Sequence, residues 1–235
     1  MNSANPIIDV VIPAYNEEES VPLVVKDIPG NVRNIVVVNN NSSDNTSANA
    51  KEAGAIVIDQ PLQGYGNACL KGIEYVNSLA QHPDIIVFLD ADYSDHPDEL
   101  NKVVSPILND QVDMVIGSRA LGAREKGSMM PQQRFGNWLA TGMIKLFYGH
   151  RFTDLGPFRA LKFDKLLELK MQDKTYGWTV EMQVKAVKLK FNCAEVAVNY
   201  RQRIGVSKIT GTIKGTVLAG WKIITTILKY TLKKV

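Results

Sequence analysis

Cysteine and histidine are scarce, with two Cys and three His in 235 residues. Cys69 and Cys193 are too few for a disulfide framework or a thiolate metal cluster, so buried thiols in a reducing compartment are expected. His82, His96 and His150 are scattered and read as turn or cap residues, not ligands. Long apolar runs are also missing: no stretch reaches the roughly 18 continuous apolar residues of a spanning helix. No charged start leads into an apolar signal segment. The expected location is cytoplasmic, in solution or at the cytoplasmic face of a membrane. A Gly-x-Gly-x-x-Gly fingerprint is absent from the first strand–helix turn and there is no P-loop Lys, which disfavours dinucleotide dehydrogenases and P-loop NTPases. Acids are rare in the second half. Residues 1–120 carry 6 Lys and Arg against 17 Asp and Glu, a net of −11, whereas residues 121–235 carry 21 against 7, a net of +14. The two halves therefore face different partners. A nucleic-acid protein is more often basic across its whole binding domain, so nucleic acid is not expected.

What is present is an ordinary globular composition, 45% hydrophobic, enough for one large domain or a domain with an appendage. Its focus is Ile85-Ile86-Val87-Phe88-Leu89-Asp90-Ala91-Asp92. Five apolar residues, too few for a buried helix, read as a central strand covered on both faces. The strand ends in two carboxylates, placed where open α/β sheets bind ligands. Two hard oxygen donors suit Mg²⁺ or Mn²⁺ with the phosphates of a nucleotide diphosphate. A competing reading makes Asp92 and Ser94 caps of the next helix.

Strand and helix patterns alternate around this stretch. Strands are expected at Ile7 to Ile12, Asn34 to Val38, Ala55 to Ile58 and Asp113 to Gly117, with Pro13 breaking the first. Helices are expected from Glu17, from Asp44 to Ala53, from an Asn67 cap to Leu79, and from Pro97 to Leu108. Repeated β-α-β units with short connections predict a mostly parallel sheet with helices on both faces. Farther on, helices are expected at Pro131 to Tyr148, Asp164 to Leu169 and Thr179 to Lys190, with a last strand at Asn192 to Asn199. Phe135, Trp138, Leu139, Met143, Ile144 and Phe147 mark the apolar side of the first of these, and Trp138 and Trp178 read as core. The chain divides into 1–210 and a C-terminal helix in 211–235. On that helix Ile213, Val217, Trp221, Ile224, Leu228 and Leu232 recur at helical spacing, with Lys222, Lys229 and Lys233 opposite. It either packs on its own domain or a twin subunit, or lies in a membrane interface.

Several short motifs follow in order: Val11-Ile12-Pro13-Ala14-Tyr15-Asn16-Glu17-Glu18, Asn41-Ser42-Ser43-Asp44-Asn45-Thr46, Gly64-Tyr65-Gly66, Phe88-Leu89-Asp90-Ala91-Asp92 and Gly117-Ser118-Arg119. With them the chain resembles the family 2 glycosyltransferases of GT-A fold. Thr153-Asp154-Leu155-Gly156-Pro157-Phe158-Arg159 and the Arg203, Gly205, Ser207, Lys208 loop make it most similar to the dolichyl- and polyprenyl-phosphate sugar synthases. The resemblance implies a metal-dependent, inverting hexosyl transfer from a UDP- or GDP-sugar to a polyprenyl or dolichyl phosphate. Asp92 would be the main metal ligand, Asp90 would assist, and Ser94 stands where these synthases complete the metal site with a Gln. Pro13, Ala14, Tyr15 and Glu17 would hold the base and ribose, and Asn40 would accept from the base. As a bare residue, Glu17 reads first as a helix-start acid.

Arg203, Ser207 and Lys208 would close over the donor diphosphate. Arg119, Arg134 and Arg159 would meet the acceptor phosphate, matching its oxygens in two-point contacts. A phosphate monoester is already largely ionised at neutral pH and needs no base, whereas a hydroxyl does. Asp154, read as orienting Arg159, and Glu181, read also as a helix-start acid, become the base candidates for a sugar, glycolipid or small-molecule hydroxyl. A third reading, of another class, is a catalytically silent, membrane-associated nucleotide-sugar binding protein.

Overall fold

The computed structural model describes residues 6–109, 112–205 and 213–232, so Ser207 and Lys208 lie outside the described residues. Its strands are β1 (Ile8–Ala14), β2 (Asn34–Asn39), β3 (Ile56–Asp59), β4 (Ile85–Phe88), β5 (Met114–Ser118), β6 (Arg159–Lys162) and β7 (Cys193–Ala197). Its helices are α1 (Val21–Asp27), α2 (Thr46–Glu52), α3 (Tyr65–Asn77), α4 (Leu100–Asn109), α5 (Pro131–Tyr148), α6 (Phe163–Leu169), α7 (Trp178–Lys188) and α8 (Ile213–Leu232). The strands form one sheet in the order β3-β2-β1-β4-β6-β5-β7. Among the described strands only β6 runs antiparallel to its neighbours.

The alternation of side chains explains why the central strands read as continuous apolar runs. Val11, Val36, Val38, Ile86 and Phe88 point into one core layer with Trp178, Ile144 and Ile227. Val10, Ile12, Val37, Ile85 and Val87 point into the other, against Val24, Leu100 and Val104. Burying Phe88 on β4 is worth roughly 1.5–3 kcal/mol by area removed from water, and its ring meets Trp178 edge-on at 5.9 Å.

The first helix, expected from Glu17, starts only at Val21, and three further boundaries differ from the sequence expectation near the site. β1 runs through Pro13 to Ala14, although proline lacks a ladder donor. Val11 accepts from Leu89 on the β4 side, and Pro13, two residues on, faces that same side beyond the end of β4, where no donor is required. Helix α3 starts at Tyr65, with Gly64 at φ 140° before it, and Asn67 bonds the Gln63 carbonyl instead of capping. The Pro97 helix is split into a 3-10 turn, Pro97–Glu99, and α4. Helix α5 keeps its expected bounds, with Pro131 at its start and Gly149 in the left-handed region closing it.

Helix α8 packs on α5 and α7. It buries Thr226, Ile227 and Tyr230, and the Tyr230 hydroxyl donates to Glu181 at 2.6 Å. Among the described residues no helix is long and apolar enough to cross a membrane.

Candidate active site

The C-terminal ends of β1, β2 and β4 open onto a cleft of about 320 Å³. Pro13, Ala14, Tyr15 and Glu17 line it from β1 and its turn, Asn40 from β2, Gln63–Tyr65 from the start of α3, and Asp90–Asp92 from the end of β4. Tyr176 and Arg203 complete the wall. Parallel pairing delivers these groups together: Val11 lies beside Phe88 and Ala14 beside Asn39. Most of the residues expected at the donor therefore meet.

The Asn41–Thr46 motif stitches the walls. Asn16, at φ 52°, accepts from the Ser43 N–H through its side chain at 2.8 Å, and the Glu17 N–H donates to the Thr46 hydroxyl at 2.8 Å. Asp44 accepts from the backbone of Glu18 and Thr46. Asn40 is buried. Its amide donates to the Gln60 and Leu62 carbonyls, and its oxygen accepts from the Gly64 N–H at 2.8 Å. Its bonds thus shape the loop before α3, and the expected base contact has to share the oxygen that holds Gly64. The Gly-Tyr-Gly motif has a steric reason: a Cβ on Gly64 or Gly66 would run into the backbone carbonyls of Lys174 or Asp173, the segment that carries Tyr176.

Asp92 is clamped on both sides. Its Oδ1 accepts from the Ser94 N–H at 2.9 Å and hydroxyl at 2.5 Å, so Ser94 orients the carboxylate with the hydroxyl expected at the metal. Its Oδ2 faces the Arg203 Nη1 at 3.0 Å, and the Arg203 Nη2 reaches Glu17 at 2.6 Å. A guanidinium therefore bridges the two acids where a cation is expected. Asp90 Oδ1 is buried with no hydrogen-bond partner; burial first, then the Asp92 charge, raise its carboxyl to about 7. Asp95 is buried with both oxygens unpartnered, and burial followed by the Asp90 charge pushes it well up. No cluster of three or more His, Cys, Asp or Glu poised for a metal occurs among the described residues. Two carboxylates with an orphaned oxygen beside a substitute cation fit a hard ion that takes its remaining ligands from phosphate and water.

Sequence reasoning missed Tyr176, Asp95 and Arg201. Arg201 stacks its guanidinium 3.4 Å from the Tyr93 ring and donates to the Tyr93 carbonyl at 2.7 Å. It straps the Arg203 segment across the end of β4. The signal available was the Arg-Gln-Arg run, in which only the second arginine matched a motif.

Four of the expected residues are engaged by partners other than those the resemblance implies. Asp154 does not orient Arg159; it pairs with Arg119 through two bonds of 2.8 and 2.7 Å. Burial alone would raise the Asp154 carboxyl, but the Arg119 charge and backbone donors outweigh it and hold it below the usual range. Arg119 also lies 5.0 Å over the Tyr200 ring, so its guanidinium is held inside the wall between Asp154 and that ring. Arg159 is fully buried and donates to the carbonyls of Leu155, Gly156 and Thr179; burial lowers its pKa to about 10. Glu181, also buried, accepts from the backbone of Gln172 and Asp173 and from Tyr230, and pairs with Lys185 at 2.7 Å. Arg134 is exposed in the first turn of α5, outside the residues that line the cleft.

Residues 9–169 match the family model described as glycosyl transferase family 2. The UDP-N-acetylglucosamine–dolichyl-phosphate N-acetylglucosaminyltransferase of Methanococcus voltae is 31% identical over 99% of this chain and 99% of its own. An undecaprenyl-phosphate mannosyltransferase of Micrococcus luteus is 27% identical over 87% of this chain and 88% of its own. In structure, the glucosyl-3-phosphoglycerate synthase of Mycobacterium tuberculosis, solved with Mn²⁺, UDP and phosphoglyceric acid, superposes with a TM-score of 0.76 at 20% identity, over 98% of this chain and 80% of its own. That likeness concerns the fold.

Proposed function

The chain belongs to glycosyl transferase family 2 and is a glycosyltransferase, and on that premise we propose that it moves a hexosyl group, with inversion, from a UDP- or GDP-sugar to a polyprenyl or dolichyl phosphate. The observation that carries the reading is the meeting of Asp92, Glu17 and Arg203 in one cleft at the end of β4. The base and ribose would lie along Pro13, Ala14, Tyr15 and Asn40, with the diphosphate toward Asp92 and Arg203. Asp92 and Asp90 would hold a Mg²⁺ or Mn²⁺, which when bound neutralises charge on the leaving phosphate. The mycobacterial synthase was solved with UDP and either ion. Arg203 would let go of Asp92 and Glu17 and pair its fork with the diphosphate, a two-point contact suited to phosphate oxygens.

What the carboxylates are doing supports a phosphate acceptor. Asp154 and Glu181, the bases that a hydroxyl acceptor would call on, are committed to Arg119 and Lys185. A phosphate acceptor needs neither, because its second ionisation lies near ~6. Two relatives are named for lipid-phosphate acceptors. Of the three arginines assigned to that phosphate by resemblance, Arg119 and Arg159 are internally bonded, while Arg134 is exposed. An acceptor of this kind would be met at the cytoplasmic face of a membrane.

The test is transfer from a panel of UDP- and GDP-sugars, with Mg²⁺ or Mn²⁺, to a short polyprenyl phosphate, to the matching polyprenol and to phosphoglycerate. Sugar should appear on the polyprenyl phosphate alone, and Asp92→Ala should abolish it. Sugar on the polyprenol or on phosphoglycerate, with none on the lipid phosphate, rejects the acceptor.

A further inference from the structure

The glycines of the Gly64-Tyr65-Gly66 motif have a steric reason, but its tyrosine does not. Gly64, at φ 140°, and Gly66, against the Asp173 carbonyl, fix where α3 begins. Tyr65 is the first residue of that helix and lines the cleft together with Asp90. Its ring packs on the core layer below, which also holds Cys69, one turn farther along α3. The Tyr65 Oη is buried and makes no hydrogen bond, and the same is true of the Asp90 Oδ1. The two groups nevertheless act on each other. Burial first and then the Asp92 charge raise the Asp90 carboxyl, and the Tyr65 hydroxyl leads the groups that oppose them. Burial first and then the Asp90 charge raise the phenol well above its usual value, so it is a proton donor at neutral pH. A buried hydroxyl with no partner costs stability, and a phenylalanine would fill the same space without that cost.

The other donors around Asp90 are committed. Of the cations that act on its carboxyl, Arg119 is paired with Asp154, and Arg203 reaches Glu17 and Asp92 through its two Nη atoms. Arg203 is also the group expected to turn to the donor diphosphate. Arg159, whose charge acts on Tyr65, is bonded to the backbone carbonyls of Leu155, Gly156 and Thr179. Tyr65 is uncharged, is held by the start of α3, and has a hydroxyl that no other group among the described residues engages. A carboxylate that gives one oxygen to a hard cation needs its remaining lone pairs met by the protein, and such partners fix its orientation toward the ion. We propose that Tyr65 is a positioning residue for Asp90, its hydroxyl donating to the Asp90 carboxylate when a divalent ion and a diphosphate occupy the cleft. The assignment rests on the metal-dependent reading given above. It adds to that site a side chain from α3, outside the strand that delivers the acids.

The experiment is titration of the chelator-treated full chain with Mn²⁺, followed by the paramagnetic resonance of the free ion, alongside thermal melts of the metal-free protein. The binding that counts is the part that Asp92→Ala removes. Tyr65→Phe should weaken it by about tenfold or more, while the metal-free melt stays in place or rises because an unsatisfied hydroxyl has been deleted. A hydroxyl kept for the fold gives the opposite split, a lower melt with native Mn²⁺ affinity. On an Asp90→Asn background the same substitution should change Mn²⁺ affinity no further, since its effect passes through that carboxylate. Native affinity in Tyr65→Phe, a fall in its metal-free melt, or an equal loss on both backgrounds would each overturn the proposal. The two readings fail separately. Mn²⁺ binding that survives Asp92→Ala removes the metal site and the role of Tyr65 with it; binding lost in Asp92→Ala but intact in Tyr65→Phe removes only the role of Tyr65.

Discussion

At the residue scale, the cleft is a problem of charge held in readiness. Glu17, Asp90 and Asp92 line one small volume, and without a ligand Arg203 neutralises two of them. Asp90 is left over, and its carboxyl is raised to about 7, by burial first and the Asp92 charge second. The sign of the consequence follows from linkage. Between about pH 4, where an unfolded Asp titrates, and about pH 7, the folded chain holds the Asp90 proton more tightly, so stability falls as pH rises through that window. Asp90→Asn removes the penalty. In chelator-treated protein the variant should therefore be more stable than the native chain near pH 8 by roughly 1–3 kcal/mol, and equal to it near pH 4. Urea unfolding at the two pH values measures this; a variant less stable than the native chain at the higher pH would show that Asp90 is favourably paired after all. The same substitution should remove transfer activity, separating a group kept for chemistry from one kept for folding.

At the element scale, short motifs turn out to be mostly about how loops approach one another. Gly66 admits the backbone of Asp173, and Gly72 lies against Val11 of β1. Gly66→Ala should cost about 1–3 kcal/mol through overpacking and displace the segment bearing Tyr176, so the KM for donor should rise severalfold. Steady-state kinetics with thermal melts check this, and an unchanged KM would take Tyr176 out of donor binding. These packing relations also mark what the sequence could disclose. The strand ending in Asp90 and Asp92, the alternating elements before it and the bounds of α5 were legible, because burial on two faces, proline and glycine each leave a local signature. The partner of Asp154 was not. Nothing local distinguishes Arg119, 35 residues away, from Arg159, and the antiparallel insertion of β6 between β4 and β5 that brings Asp154 to Arg119 is a property of topology. Trp138, expected in the core, stands 67% exposed on α5 while Trp178 is buried, and it was misread for a related reason. Periodicity finds an apolar stripe, but which side meets the core depends on neighbours that periodicity does not contain.

At the scale of the whole molecule, the charge asymmetry acquires a location. The acidic half contributes β1 to β5 and the carboxylates of the cleft, while the basic half closes it with Arg203 and presents α5 and α8. A diphosphate alone would meet the acids before it met Arg203, and a divalent ion alone would compete with Arg203 for Asp92. The two ligands should therefore bind cooperatively, each removing the repulsion that opposes the other. Linkage converts this to stability: at a free concentration of about 100 Kd a ligand adds roughly 2.7 kcal/mol, and each kcal/mol moves the Tm of a chain this size by about 2–4 °C. With Mn²⁺ and whichever of UDP or GDP is the donor nucleotide, the melt should rise by several degrees. Either component alone, at the same concentration, should produce a much smaller rise. Arg203→Ala should reverse part of the pattern, because Asp92 and Glu17 then face the ion without a competitor: Mn²⁺ alone should stabilise the variant more than it does the native chain, while the nucleotide's further gain shrinks. Additive shifts in the native chain, with no change in Arg203→Ala, would show that the bridge across Asp92 and Glu17 is a bystander to donor binding and that the seam between the two halves is not where the donor is held.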